Sequence, residues 1–322
     1  MFATGLPRLG DSFYTAASMT IALPAGVQIF CWIATMWDGK PRFATPMLYV
    51  VGFIITFVLG GLTGVMVASV PLDLQVHDTF FVVAHFHYVL IGGAVFPLLG
   101  AIYYWFPKAM GRMPNERAGQ IGFWLVFIGF QITFFPMHIL GLLGMPRRVY
   151  TYPAHIGWDG LNLLSSLGAL VLVAGIATYL LNLIISARKG PLAGANPWDA
   201  GTLEWATTSP PPPYNFAYPP VVEGREPLWE AGDQGIAVME GMKADTREVL
   251  LTSAAEARPD VREGSPKPSV WPFLTAVTTS GLFIATIFNE WGLIWGSIPV
   301  TIALIGWFWP RPDHSEIAKV VS

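Results

Sequence analysis

Charged residues make up only 12% of this 322-residue chain, against 53% hydrophobic ones. That is about half the charged share of a soluble domain, too little to solvate a globular surface. Cysteine is nearly absent. The single Cys31 excludes an intramolecular disulfide and any cysteine-held iron–sulfur cluster within the chain. Its place in an apolar run suits a buried structural thiol. Excess charge of either sign is also missing, since 18 basic and 21 acidic residues leave a net charge of −3. The net value by itself is uninformative, and no nucleic-acid partner is expected. The acidic residues are segregated, twelve of the 21 falling between Asp199 and Glu263 beside the run Pro210-Pro211-Pro212-Pro213. No internal repeat is visible.

What the chain has is long apolar runs. About seven are long enough to span a bilayer, at roughly 20 residues each, over 13–37, 46–70, 78–106, 120–145, 159–187, 271–290 and 293–309. This predicts an all-α, polytopic transmembrane helix bundle. Pro24 falls mid-span in the first run, which membrane helices tolerate when neighbours re-satisfy the freed carbonyl. Gly60, Gly61 and Gly64 put small residues one turn apart and favour close helix packing. Trp37, Tyr103, Tyr104, Trp105, Tyr150 and Trp158 fall near span ends, as interfacial aromatics do. The layout is a membrane bundle over 1–189, a Pro-rich acidic extramembrane segment over 190–270, a two-helix transmembrane extension over 271–310 and a cytoplasmic tail over 311–322. If the spans alternate, Lys40, Arg42, Lys108, Arg112, Arg117, Arg188 and Lys189 share one side, which the positive-inside rule makes cytoplasmic. Arg147 and Arg148 run against that bias. They suit either lipid headgroups or an anionic partner such as haem carboxylates.

Two histidines, His85 and His87, stand inside the third run, between Phe80 and Leu90. Imidazole in hydrocarbon is kept where it has a partner. Residues two apart on an α-helix are rotated by about 200°, so the pair cannot share one ion but can reach two cofactors on opposite sides. Imidazole is the usual axial ligand of haem iron, which points to two haems flanking one helix. Two histidines bonded to neighbouring helices is the plainer alternative. Asp73, His77 and Asp78 open that span and suit a divalent ion such as magnesium or manganese. Asp at a helix start is equally a dipole partner. His138 reads as a hydrogen-bonded interface histidine rather than a ligand.

The segment Leu74-Gln75-Val76-His77-Asp78-Thr79, followed by Val82-Val83-Ala84-His85-Phe86-His87-Tyr88-Val89, resembles the tenth helix of subunit I of the haem–copper oxygen reductases, the cytochrome c oxidases. Gly60-Gly61-Leu62-Thr63-Gly64, Thr133–His138 and Gly144–Arg148 match flanking signatures in the same order. Pro197-Trp198-Asp199 and Thr202–Thr207 extend the likeness to about residue 220, in a form typical of bacterial members. The resemblance implies part of the twelve-helix fold of that subunit, helices eight to twelve, plus a C-terminal helical hairpin. It makes His85 the axial, catalytic ligand of the high-spin haem that binds oxygen, and His87 an axial ligand of the low-spin haem. It brings Arg147, Arg148 and Asp73 to the haem propionates, and it gives His77 and Asp78 a magnesium or manganese ion at the boundary with subunit II.

The implied activity is that of cytochrome-c oxidase, an oxidoreductase of the respiratory chain in the bacterial plasma membrane. Electrons pass from cytochrome c, through subunit II, by two haems (a-type expected) to oxygen, with proton translocation. Subunits II and III are the expected partners. The family's copper-binding histidines have no counterpart here, so the copper ligands are expected in a missing amino-terminal half of subunit I. Two other readings stand beside this one, a quinol oxidase subunit I and a non-catalytic truncated fragment. Ala25 and Gln28 occupy positions where many members carry Thr and Lys in a proton pathway. Glutamine takes no proton at physiological pH, so entry by that route is in question.

Overall fold

The computed structural model describes residues 2–37, 39–217, 220–222, 224–232, 248–253, 255, 259–264 and 268–309. The cytoplasmic-tail assignment, with His314, lies outside these residues. Two compact units emerge, Met1–Phe216 with Pro220–Met239, and Ala217–Pro219 with Glu240–Ser322.

In the first unit, α1 (Arg8–Thr20) and α2 (Ala22–Trp37) form one 30-residue span. Pro24 has no N–H to give the Thr20 carbonyl, and the ladder breaks at Ile21, whose backbone stays right-handed helical. No residue of α1 or α2 is buried. Cys31 is therefore exposed on α2 rather than enclosed, because the apolar faces of that helix look away from the rest of the chain. α3 (Thr45–Ala68) follows, then α4 (Val70–Val76), a short helix opened by Pro71 within its first turn. Asp73, His77 and Asp78 belong to α4 and the turn after it, ahead of the third span. That span is Phe80–Met110, in three pieces: α5 (Phe80–Leu90), a π-helical turn over Ile91–Val95, and α6 (Phe96–Met110). Thr79 caps α5 by accepting from the Phe81 N–H at 3.2 Å. The π turn has two causes. Pro97 cannot donate to Gly93, and Gly92 faces α3, where a Cβ would lie 2.8 Å from Thr56 Cγ2.

α7 (Glu116–Leu142) starts at Asn115, whose side chain accepts from Ala118 N–H at 3.0 Å. It packs along α8 (Asp159–Lys189) through small residues. A Cβ on Gly168 would sit 2.6 Å from Thr133 N, and one on Gly175 2.6 Å from Val126 N, so these helices touch backbone to backbone. Between α3, α5, α6, α7 and α8 lies an aromatic core of Tyr49, Tyr88, Phe96, Tyr103, Phe123, Phe130, Phe134 and Tyr179. Leu163, Leu167, Leu170 and Val173 of α8 point outward and are over half exposed, as lipid-facing residues must be.

Beyond α8 the chain folds back onto the end of α6. Lys108 is buried there and donates to the carbonyls of Thr207 (2.7 Å), Ala195 (3.0 Å) and Thr208 (3.2 Å), with its ammonium over the Trp205 ring. Arg112 donates to Gly190 O at 2.6 Å. The segment ends in a 3₁₀ turn (Leu203–Ala206) and α9 (Pro227–Glu230).

In the second unit, β1 (Glu248–Thr252) pairs antiparallel with β2 (Pro259–Gly264). α10 (Trp271–Phe288) and α11 (Gly292–Phe308) form the expected helical hairpin, with Glu290 exposed at its tip. Gly296 lets the pair close, since a Cβ there would be 2.9 Å from Leu282 Cα. Among the described residues six helical stretches are long and apolar enough to cross a membrane, the sixth being α10. At 17 residues α11 reaches about 26 Å, a few ångströms short of a hydrocarbon core of roughly 30 Å. Trp295 and Trp307, both exposed near its ends, suit a helix whose flanks sit at the interface.

Candidate haem-ligating site

The two histidines of α5 face different neighbours. His85 turns toward α3, where its Nδ1 lies 3.2 Å from Gly60 O and 3.0 Å from Thr63 Oγ1. His87 turns toward α7, where its ring stacks on Phe134 at 4.1 Å and 18°. Its Nδ1 lies 2.7 Å from Val83 O, one turn back. A carbonyl oxygen only accepts, so each Nδ1 carries the hydrogen and each Nε2 keeps its lone pair. Among the described residues no protein group bonds either Nε2. Both rings are half-buried. Two fixed imidazoles, each presenting an open nitrogen into an apolar span, fit two haem irons.

Glycine makes the α3 side possible. A Cβ on Gly64 would stand 3.1 Å from His85 Cε1, and one on Gly60 would stand 3.0 Å from the carbonyl carbon of Tyr88. Only hydrogen at these positions lets α3 lie against the ring and backbone of α5.

The end of α7 returns the chain to the start of α5. Gly144 adopts φ +82°, its N–H donates to Gly141 O at 3.0 Å, and Met145 N–H donates to Leu140 O at 2.9 Å. These are the paired bonds of a Schellman stop. Met145 O then accepts from Phe80 N–H at 3.0 Å, and Asp78 O accepts from Arg147 N–H at 2.8 Å. The structure thus brings Asp78 and Arg147 together, and their side chains form an ion pair. Arg147 Nε remains buried without a partner, a donor that suits a carboxylate from a bound group. Arg148, at φ +66°, is exposed.

His77 Nε2 stands 3.4 Å from Asp78 Oδ2. Asp73 accepts His77 N–H through its backbone carbonyl at 2.7 Å. Among the described residues no group of three or more His, Cys, Asp or Glu side chains could hold a metal. His77 and Asp78 offer two donors, so a hard ion held here would need its remaining ligands from water or another chain.

His138 lies at the α5–α7 interface, as expected, but neither ring nitrogen makes a well-formed hydrogen bond. The ring meets Phe81 and Tyr88 edge-on, each at 5.2 Å. Aromatic packing holds it instead, because both flanking positions on α5 are rings. Sequence reasoning missed four contributors. Tyr88 donates to Gln131 Oε1 at 2.5 Å across the same interface. Thr63 and Phe134 set the two imidazoles. Tyr88 and Gln131 were each visible as polar residues inside apolar runs, but nothing in the sequence paired them.

A family described as Cytochrome C and Quinol oxidase polypeptide I matches residues 1–171. The chain is 47% identical over 307 residues to cytochrome c oxidase subunit 1 of Bacillus sp. (strain PS3), covering 94% of this chain and 46% of that one. It is 43% identical to the same subunit of Alkalihalophilus pseudofirmus, covering 98% and 49%, and 50% identical to that of Bacillus subtilis, covering 71% and 37%. The chain therefore spans about half the length, or less, of these curated relatives. A heme-copper terminal oxidase solved as a dimer by cryo-EM shares the fold, with a TM-score of 0.53 at 21% identity over 59% of this chain and 38% of that one. A helical membrane chain of this fold, matched over more than half its length by one family, belongs to the cytochrome c and quinol oxidase polypeptide I family.

Proposed function

We propose that this chain is the carboxyl-terminal part of the catalytic subunit of a bacterial terminal oxidase, working in the plasma membrane with subunits II and III. The reaction is that of cytochrome-c oxidase, with electrons from cytochrome c passing by two haems to oxygen and protons translocated. The observation that carries the reading is the pair of open Nε2 atoms on α5, each with its Nδ1 tied to a carbonyl. His85 would hold the high-spin haem and His87 the low-spin one. The haems supply one-electron redox chemistry when bound. The copper histidines and the second low-spin ligand come from the amino-terminal part of the subunit.

The protein's own work at this site is positional. Gly60 O and Thr63 Oγ1 orient His85, while Val83 O and the Phe134 face orient His87. A hydrogen-bonded Nδ1–H raises the basicity of the opposite nitrogen. Arg147, with its free Nε, would neutralise a propionate at the α7 end, and Asp78 fixes that guanidinium. Arg148 and Asp73 stand at the same end of α5. His77 and Asp78 would contribute to a magnesium or manganese site completed by another subunit. Gln28 carries no titratable proton, so a proton path through α1 and α2 would rest on water and Thr20.

The test is a pair of substitutions in the assembled complex. His87→Ala should abolish the low-spin haem spectrum and disturb the high-spin haem less, with His85→Ala doing the reverse. Unchanged haem content and spectra in both would refute the assignment.

A further inference from the structure

A cavity of about 940 Å³ opens at the basic end of the first unit, between the start of α3, α6 and the segment that folds back after α8. Its depths are apolar, with Met47 and Val50 of α3 facing Pro97 and Ala101 of α6. Its side wall is aromatic and fixed. Trp198 Nε1 donates to Tyr104 O at 2.8 Å, and Trp229 Nε1 donates to Asp199 O at 2.9 Å. Both of these N–H groups are thereby consumed, so Trp198 and Trp229 offer ring surface to the cavity rather than directional donors. At the mouth stand Lys40 and Arg42, with Asp199 the acidic residue that lines it among the described residues. Arg42 reaches Asp199 at 3.4 Å, but their side chains are 73% and 75% exposed. Such a surface pair is weak, and the guanidinium is free to turn to a stronger anion.

We propose that this cavity binds an anionic phospholipid, its phosphate at Lys40 and Arg42 and one acyl chain along the Met47–Ala101 cleft. Three observations converge. The cations and the apolar surface are segregated in the order of a lipid, charge at the rim and hydrocarbon below. From Trp105 to Pro97 the α6 wall runs about 12 Å, which takes the cleft from the interface into the hydrocarbon layer. Indole rings at the mouth occupy the depth that interfacial aromatics favour, and basic pockets between membrane helices hold acidic headgroups. The fold-back segment is then a wall of the site, held in place by Lys108 and by the Trp198 bond to α6. The proposal stands on the cavity alone and does not depend on the haem assignment.

The test uses the assembled complex in phosphatidylcholine nanodiscs doped with photoactivatable phosphatidylglycerol or, separately, photoactivatable phosphatidylcholine. Phosphatidylglycerol should label peptides containing Met47, Val50 or Ala101, and phosphatidylcholine should label them far less. Lys40→Gln with Arg42→Gln should cut the labelling about thirtyfold, the loss expected for removing two interfacial cations, with haem content unchanged. Ala101→Trp, which fills the cleft and keeps both cations, should abolish it as well. Equal labelling by the two lipids, labelling indifferent to the double substitution, or protection of these peptides by another subunit would overturn the proposal.

Discussion

Replacing Gly60 by Ala is the sharpest probe of how α3 is seated on α5. The added Cβ would lie 3.0 Å from the Tyr88 carbonyl carbon, 3.1 Å from Tyr88 Cβ and 3.1 Å from Val89 Cγ2. Two of these atoms are backbone or Cβ, so no side-chain rotation relieves them, and the helices must separate by a few tenths of an ångström. Gly61 supplies the control. A Cβ there meets nothing within 4 Å. Both substitutions gain the same helix propensity, about 1 kcal/mol at most, which cancels between them. What remains is the cost of overpacking a close contact, about 1–3 kcal/mol. The displacement also reaches the site, because Gly60 O accepts from His85 Nδ1 at 3.2 Å. A few tenths more would take that bond to the edge of useful geometry. In the assembled complex, Gly60→Ala should lose its haem absorbance at lower temperature than Gly61→Ala and shift the visible spectrum assigned to the His85 haem. Gly61→Ala should match the parent. If the two variants melt alike and their spectra coincide, α3 does not approach α5 in this way.

The other expectations concern contacts that the apolar sequence conceals. Lys108→Met removes three hydrogen bonds from a buried ammonium and strands the carbonyls of Thr207 and Thr208, while Ala195 O keeps Ser209 Oγ at 3.4 Å, at about 1–3 kcal/mol for each unsatisfied group. Proteolysis within 195–209 should accelerate while haem content holds, and an unchanged cleavage rate would refute the clasp. Tyr88→Phe leaves the half-buried Gln131 without its 2.5 Å donor and should destabilise by about 1–3 kcal/mol. Adding Gln131→Leu should recover much of that loss, because both polar partners are then gone, and strict additivity in the thermal melts would contradict a direct bond. Manganese substituted into the complex should show nitrogen coordination by electron paramagnetic resonance that disappears in His77→Ala. A nitrogen-free signal in the parent would remove His77 from the ion.

The spans were legible because run length is a one-dimensional property. Five helical stretches of the first unit and the α10–α11 hairpin appear where apolar runs of about 20 residues predicted them. Their interruptions were less legible. Pro24 was readable, but whether the helix would kink or part at Ile21 depends on neighbours. The π turn at Ile91–Val95 needed both Pro97 and the approach of Thr56 to Gly92, and only the first is in the sequence. α4 was missed because seven residues are too few to show periodicity, although Pro71 marked its start. Cys31 was misjudged for a related reason. An apolar run predicts residence in a membrane, not burial against protein, and α2 offers its faces outward.

At the candidate site the division is similar. That His85 and His87 face opposite ways follows from 100° per residue and nothing else, so the sequence alone carried it. Which nitrogen each leaves open did not follow, because it depends on Gly60 O, Thr63 and Val83 O as they stand in space. The pairing of Asp78 with Arg147 shows why the second kind of fact is harder. The two residues are separated by the whole of α5, α6 and α7, and each alone reads equally well as a helix-end charge. What joins them is backbone. Gly144 takes a conformation that side chains rarely adopt, the Schellman bonds reverse the chain after α7, and Met145 and Arg147 then pair with Phe80 and Asp78. The glycine was visible in Gly144-Met145-Pro146-Arg147-Arg148, but only its positive φ explains why the arginine that follows is delivered to the mouth of the histidine helix instead of to lipid.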